Sequence, residues 1–234
     1  MNDISQGLID ALWLIVSLDA DLLEIIFLSL QVSLSAVALS AAIGLPLGAI
    51  LAISAFPGRR AFVVMLNALM GLPPVVVGLF VYLMLSRSGP LGILGLLFTP
   101  TAMIIAQTIL ITPIVAAFAR QTIAHLWSDY RDLLVSLDAS KRQALATLLW
   151  DGRVALATAV LAGFGRAIAE VGAVMIVGGN IEHVTRVLTT AIALETSKGN
   201  LAMAMGLGIV LIALALTVNA LVHLLSGPDT GEVR

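Results

Sequence analysis

The sequence predicts an all-helical membrane protein of about five spans, and three observations carry that prediction. Of 234 residues, 60% are hydrophobic and only 11% charged, where a soluble domain carries roughly 25% charged residues. Mean hydropathy is +1.08. Residues 25–58, 61–86, 88–119 and 199–228 contain no charge at all, and each stretch exceeds the ~20 residues that cross a hydrocarbon core. This composition cannot form a water-facing surface, and at this length a single membrane domain over 1–234 is expected. Cysteine is absent, which removes disulfides, thiolate metal sites and cysteine nucleophiles from consideration.

Residues 1–24 hold Asp3, Asp10, Asp19, Asp21 and Glu24 with no Lys or Arg. That is the reverse of a signal peptide's basic start, so no cleaved leader is expected. The apolar run 8–18 is too short to cross and carries Asp10. It suits an amphipathic segment lying at the interface within 1–22, with a frayed terminus as the alternative.

The spans are expected near 26–53, 62–86, 100–120, 154–178 and 202–225. The fourth is interrupted only by Arg166 and Glu170. Gly44, Pro46 and Gly48 fall inside the first, Pro73 and Pro74 inside the second and Pro113 inside the third, where each proline removes a backbone donor and bends the helix. Such defects are tolerated against other helices or a wet path, which favours a transport protein over a simple anchor. Thr99-Pro100 reads as an N-cap followed by proline at the first helical position, leaving 91–98 as an outer half-helix or loop.

Lys and Arg collect on one side. Arg59 and Arg60 lie in the first connection, Arg120, Arg131, Lys141, Arg142 and Arg153 in or beside the third, and Arg234 in the tail. The other side has Arg87, Arg186 and Lys198. Because cytoplasmic loops carry the basic excess, the N-terminus is expected outside and the C-terminus in the cytoplasm.

The cytoplasmic loop 121–152 is patterned. Ser128 reads as the cap of a short helix over 129–137, and Ser140-Lys141-Arg142-Gln143 has the form of a capping box opening a second, with the joint at Asp138-Ala139. Leu133, Leu134 and Leu137 make an apolar face outside the membrane that requires cover, either from this chain's own helix ends or from a partner.

Arg166 and Glu170 fall about 13 and 17 residues into the fourth span, near mid-bilayer at ~1.5 Å per residue. A charge there costs at least about 2.5–3.5 kcal/mol, and Arg preceding Glu by four residues is the weaker helical pairing. Two readings stay open: Arg166 lines a path for an anion and is held by Glu170, or the two form a packing network near a gate. The external segment 178–198 is polar with an expected helix over 184–194 and is a candidate contact for a delivering protein or an ordinary solvated cap. His125, His183 and His223 show no metal spacing, and no nucleophile elbow, phosphate-binding loop or metalloprotease helix is present.

Two segments resemble a known family. Asp132-Leu133-Leu134-Val135-Ser136-Leu137-Asp138-Ala139, followed by a basic amphipathic stretch and two spans, resembles the cytoplasmic loop of permeases from ATP-binding-cassette importers. That loop carries an E-A-A-x-x-x-G pattern and docks on the ATPase. Here Asp132 stands at the acidic position, Leu133 and Leu134 at the alanines, and Asp138 at the glycine, where the left-handed turn is accessible to Asp at modest cost. Residues 163–173, GFGRAIAEVGA, with Gly178-Gly179-Asn180-Ile181, resemble the fourth span of molybdate, sulfate and tungstate permeases; Thr185 to Ile192, then Glu195 and Lys198-Gly199, resemble the tungstate branch. The likeness covers about 30–225.

The resemblance implies a type I importer permease fold and a multi-pass translocation subunit of the cytoplasmic (inner) membrane. It implies an oxyanion substrate, tungstate first, with molybdate or sulfate as alternatives. ATP hydrolysis belongs to a separate subunit. The implied partners are two ATP-binding subunits, an extracytoplasmic oxyanion-binding protein, a second copy of the chain and membrane lipid; no nucleic acid, cofactor or metal is expected. Asp132, Leu133, Leu134, Ser136, Leu137, Asp138 and Ala139 become ATPase-coupling candidates, and Arg166, Glu170, Gly178, Gly179 and Asn180 path or gate candidates. Selectivity would reside mainly in the binding protein, since a path that releases its cargo cannot hold it tightly. A stand-alone secondary transporter, the rival reading, would place coupling charges at broken helices, but no internal repeat supports it.

Overall fold

The computed structural model describes residues 20–226. The expected interfacial run over 8–18 and the tail with Arg234 lie outside the described residues. All regular structure among the described residues is helical: α1 (Ala20–Ile53), α2 (Arg59–Met70), α3 (Pro74–Leu85), a 3₁₀ turn (Gly92–Leu94), α4 (Pro100–Ser136), α5 (Lys141–Asp151), α6 (Arg153–Ile168), α7 (Gly172–Gly178), α8 (Leu188–Ser197) and α9 (Leu201–Ser226).

By length and apolarity α1, α4 and 203–220 of α9 are each able to cross a membrane alone. The α2–α3 and α5–α6 pairs raise the number to five if each counts as one span. The second span is not one helix: α2 and α3 meet at 99°. Gly71 closes α2, and Pro73 and Pro74 occupy the N-cap and first position of α3, where the missing N–H costs nothing. Pro46 and Pro113, by contrast, stay inside α1 and α4.

α1 and α4 form the central pair and pack most extensively. Gly48 makes this possible, because a Cβ there would strike the backbone of Ala116 and Arg120. At the base, Ala49, Ala119, Ile123, Leu134, Leu148 and Leu156 form one buried cluster. The final carbonyls of α1 are capped by Arg59, whose guanidinium donates to Leu51 (2.7 Å) and Ala52 (3.3 Å).

Ser128 does not start a helix. α4 runs unbroken for 37 residues, about 55 Å at ~1.5 Å per residue, against a hydrocarbon core of ~30 Å. Nothing between Arg120 and Ser136 breaks a helix, and Ile123, Leu126 and Trp127 pack into the basal cluster, so the expected two-helix loop is the end of α4 plus α5. The capping box holds: Ser140 N–H donates to Gln143 Oε1 (2.9 Å) and Gln143 N–H to Ser140 Oγ (3.4 Å). Thr99 accepts from Ala102 N–H (3.4 Å) with Pro100 next, as the sequence requires.

The helix expected over 184–194 starts four residues later, at Leu188–Ser197. Its start is set across the fold: Ser29 Oγ of α1 accepts the Leu188 N–H at 2.8 Å. Residues 181–186 instead turn about Ile181, whose carbonyl accepts from the Val184, Thr185 and Arg186 N–H groups.

Candidate functional site

The fourth span breaks at its charged pair. α6 ends at Ile168 and α7 starts at Gly172, so Glu170 lies in the break and not four residues farther along one helix. A break inside a membrane exposes orphan carbonyls and amides, which need partners where water is excluded. Three side chains supply them. Glu170 Oε1 accepts from Ala173 N–H (3.1 Å), capping α7; Thr189 Oγ1 donates to the Glu170 carbonyl (2.8 Å); Gln107 Nε2 of α4 donates to the Ala167 carbonyl (3.1 Å). Gln107 Oε1 is buried without a partner.

The second carboxylate oxygen of Glu170 lies 3.2 Å from Arg166 Nη2. Burial is unequal, with the Glu170 side chain 4% exposed and that of Arg166 37%. Arg166 therefore presents part of its guanidinium at the surface of the chain.

That surface continues along α6. Ala155, Thr158 and Ala162 precede Arg166 at helical spacing, and with Phe118, Gln121, Thr122 and His125 of α4 they line a groove of about 410 Å³. Gln121 and Thr158 escaped the sequence reading, which weighed His125 only for metal spacing; their signal was a row of small and polar residues at three- and four-residue steps in otherwise apolar helices.

Gly178, Gly179 and Asn180 do not join Arg166 and Glu170. α7 separates them, seven residues or about 10 Å. They form the turn at its C-terminal end, with Gly179 at φ 71° and Asn180 at φ 51°. Thr185 Oγ1 closes the turn on the Gly178 carbonyl at 2.6 Å. Beside it, His183 Nδ1 meets Glu24 Oε2 at 2.8 Å, and Asp21 comes within 4.8 Å of both, a juxtaposition the sequence spacing did not suggest. The Glu24 carboxylate raises the His183 imidazole above 6.5, and Lys198 lowers Glu195 below 4.5.

At the other end Asp138 takes φ 52°, the left-handed turn expected of the glycine position. The leucines divide: Leu134 is 8% exposed and packs inward, while Leu133 and Leu137, with Val135, stand 55–67% exposed. Ser136 Oγ donates to the Leu133 carbonyl (2.8 Å), and Ala139 N–H to that of Leu134 (3.0 Å). Asp132 and Asp138 are exposed. Asp151 of α5 raises the Tyr130 hydroxyl above 10.0, chiefly by hydrogen bonding.

No protein-family model matches the chain. Individual relatives do. It is 43% identical over 225 residues, 96% of this chain and 99% of the relative, to the tungstate uptake system permease protein TupB of Peptoclostridium acidaminophilum. It is 45% identical to a probable anion ABC transporter permease protein of Haloferax volcanii, covering 86% of this chain and 88% of that one. The sulfate transport system permease protein CysW of Escherichia coli is more distant, 29% identical over 75% of this chain and 63% of its own. With this identity along nearly its whole length and an all-helical core, the chain belongs to the permeases of ATP-binding-cassette anion uptake systems and is an integral protein of the cytoplasmic membrane.

Proposed function

We propose that this chain is the membrane-spanning subunit of an ATP-driven tungstate importer. The observation that carries the reading is the 43% identity, over 96% of the chain, to a relative named a tungstate uptake permease. The whole chain acts as one permease domain, two copies pair, two separate ATPase subunits hydrolyse ATP, and an external binding protein delivers the oxyanion. The N-terminus lies outside and the C-terminus in the cytoplasm, a reading supported by the basic residues from Arg120 to Arg153 gathered at the α4–α5 end.

The geometry supports a path at Arg166. A guanidinium 37% exposed at membrane depth cannot face lipid without large cost, so its surroundings are a wet path or the second copy. Glu170 neutralises it in part, which lets an anion pass without being trapped. From Arg166 the groove of Ala162, Thr158, Gln121 and His125 leads toward the cytoplasmic end. Gly178, Gly179 and Asn180 act as the outer end of the same gate. Asp132, Leu133, Leu134, Ser136, Leu137, Asp138 and Ala139 form the coupling turn, whose exposed Leu133 and Leu137 fit an apolar groove on the ATPase.

The test is ATP hydrolysis by the reconstituted complex with binding protein loaded with tungstate, molybdate or sulfate. Stimulation by tungstate alone is expected. Stimulation by molybdate or sulfate alone would replace the substrate, and failure to assemble with an ATPase would overturn the importer reading.

A further inference from the structure

α6 carries two opposite faces. Its Arg166 face lines the groove already described. About 160° around the helix, Arg153, Leu156, Ala157 and Val160 join Ala41, Ala42, Leu45 and Pro46 of α1 and Leu149 of α5 around a second groove of about 470 Å³. Its walls are almost wholly aliphatic, with one polar group, the Arg153 guanidinium, at the end where α5 meets α6 at 73°. Pro46 lines it at a point where α1 lacks its usual backbone bond.

Arg153 has no ion pair among the described residues. Its guanidinium donates to the Trp150 carbonyl at 2.9 Å and sits 5.0 Å over the Trp150 ring, which leaves donors free. Trp150 is 72% exposed, and an exposed indole at the end of a helix steeply inclined to its neighbour marks the headgroup level. An apolar slot along two membrane helices, ended by an unpaired cation beside an interfacial tryptophan, has the chemistry of one anionic phospholipid: acyl chain in the slot, phosphate on Arg153.

We propose that this groove binds an anionic phospholipid of the leaflet at the α5 end. The lipid bridges α1, α5 and α6, and so pins the corner between α5 and α6. The inference does not depend on the transported anion. Charge complementarity selects an anionic lipid: among the residues that line the slot Arg153 is the one charged group, and it stands at the end of an otherwise aliphatic wall.

Native mass spectrometry of the intact complex, titrated with phosphatidylglycerol and phosphatidylcholine of identical chains, tests it. The wild type is expected to bind one phosphatidylglycerol per permease at least about fivefold more tightly than phosphatidylcholine, roughly 1 kcal/mol. Arg153→Gln removes the preference and Arg153→Lys retains part of it. Ala42→Trp fills the slot and removes the bound lipid of either kind. Lys141→Gln, outside the groove, leaves binding unchanged, and retained ATPase association shows that each variant is folded. No preference in the wild type would overturn the proposal, as would binding that survives either Arg153→Gln or Ala42→Trp.

Discussion

Two spans of this protein are broken, by different physics. The α2–α3 break is written in the backbone: Gly71 ends one helix, Pro73 and Pro74 start the next, and no side-chain cap takes part. The α6–α7 break has no proline and depends on side chains, with Glu170 of the break itself capping α7 and two distant residues, Gln107 holding the end of α6 and Thr189 holding the segment between. The first is fixed by local covalent structure. The second lasts only while a polar network persists. The two products also meet, since α3 packs on α7 and Gly78 lies against Ala173.

The largest test of this contrast is Glu170→Ala. It strips the cap from α7 and leaves Arg166 without its counter-charge, so a loss of about 3 kcal/mol or more is expected, read as a lower melting temperature of the purified complex. Glu170→Gln keeps one acceptor for Ala173 and should recover part of that loss. Survival of Glu170→Ala at wild-type stability would show that the second break is also held locally. Gly78→Val comes next. A Cβ at Gly78 would stand 2.7 Å from the Ala173 Cα, so α3 and α7 must separate, at about 1–3 kcal/mol; the same assay reads it. Pro74→Ala should be nearly neutral, within about 0.5 kcal/mol, because proline at the first helical position only shapes a bend that Gly71 and Pro73 still impose. A large effect there would sink the distinction between the two breaks.

The smallest effect is a titration. His183, in the turn after α7, is raised above 6.5 chiefly by its hydrogen bond to Glu24. A raised pKa means the contact is fully present below 6.5 and fades as pH rises through the higher native value. The imidazole NMR titration should return toward 6.5 in Glu24→Gln, and an unchanged midpoint would remove Glu24 as the cause.

Local signals were readable in the sequence. The Thr99-Pro100 start, the Ser140–Gln143 capping box and the left-handed turn at Asp138 each rest on neighbours within four residues, and each is present. The prolines of the second span announced a bend but not its 99° angle. What escaped depends on distant partners. The start of α8 is set by Ser29, 159 positions away, so the helical pattern alone placed it too early. The α6–α7 break likewise needs Gln107 from 60 positions upstream, and in the sequence it shows only as a charged pair with no adequate local reason. Ser128 failed in the opposite sense, a good cap in isolation overridden by the packing of Ile123 and Trp127 around it.

The length of α4 has a mechanical consequence. One helix of 37 residues carries Gln107 in its first third and Leu133 on its last turn, with Pro113 between them but no loop. Tilting such a rod by 5° sweeps its far end through about 5 Å over its ~55 Å. A hydrogen bond loses most of its strength with a stretch of well under 1 Å. A small tilt of α4 is therefore enough to strain the Gln107 hydrogen bond to the Ala167 carbonyl.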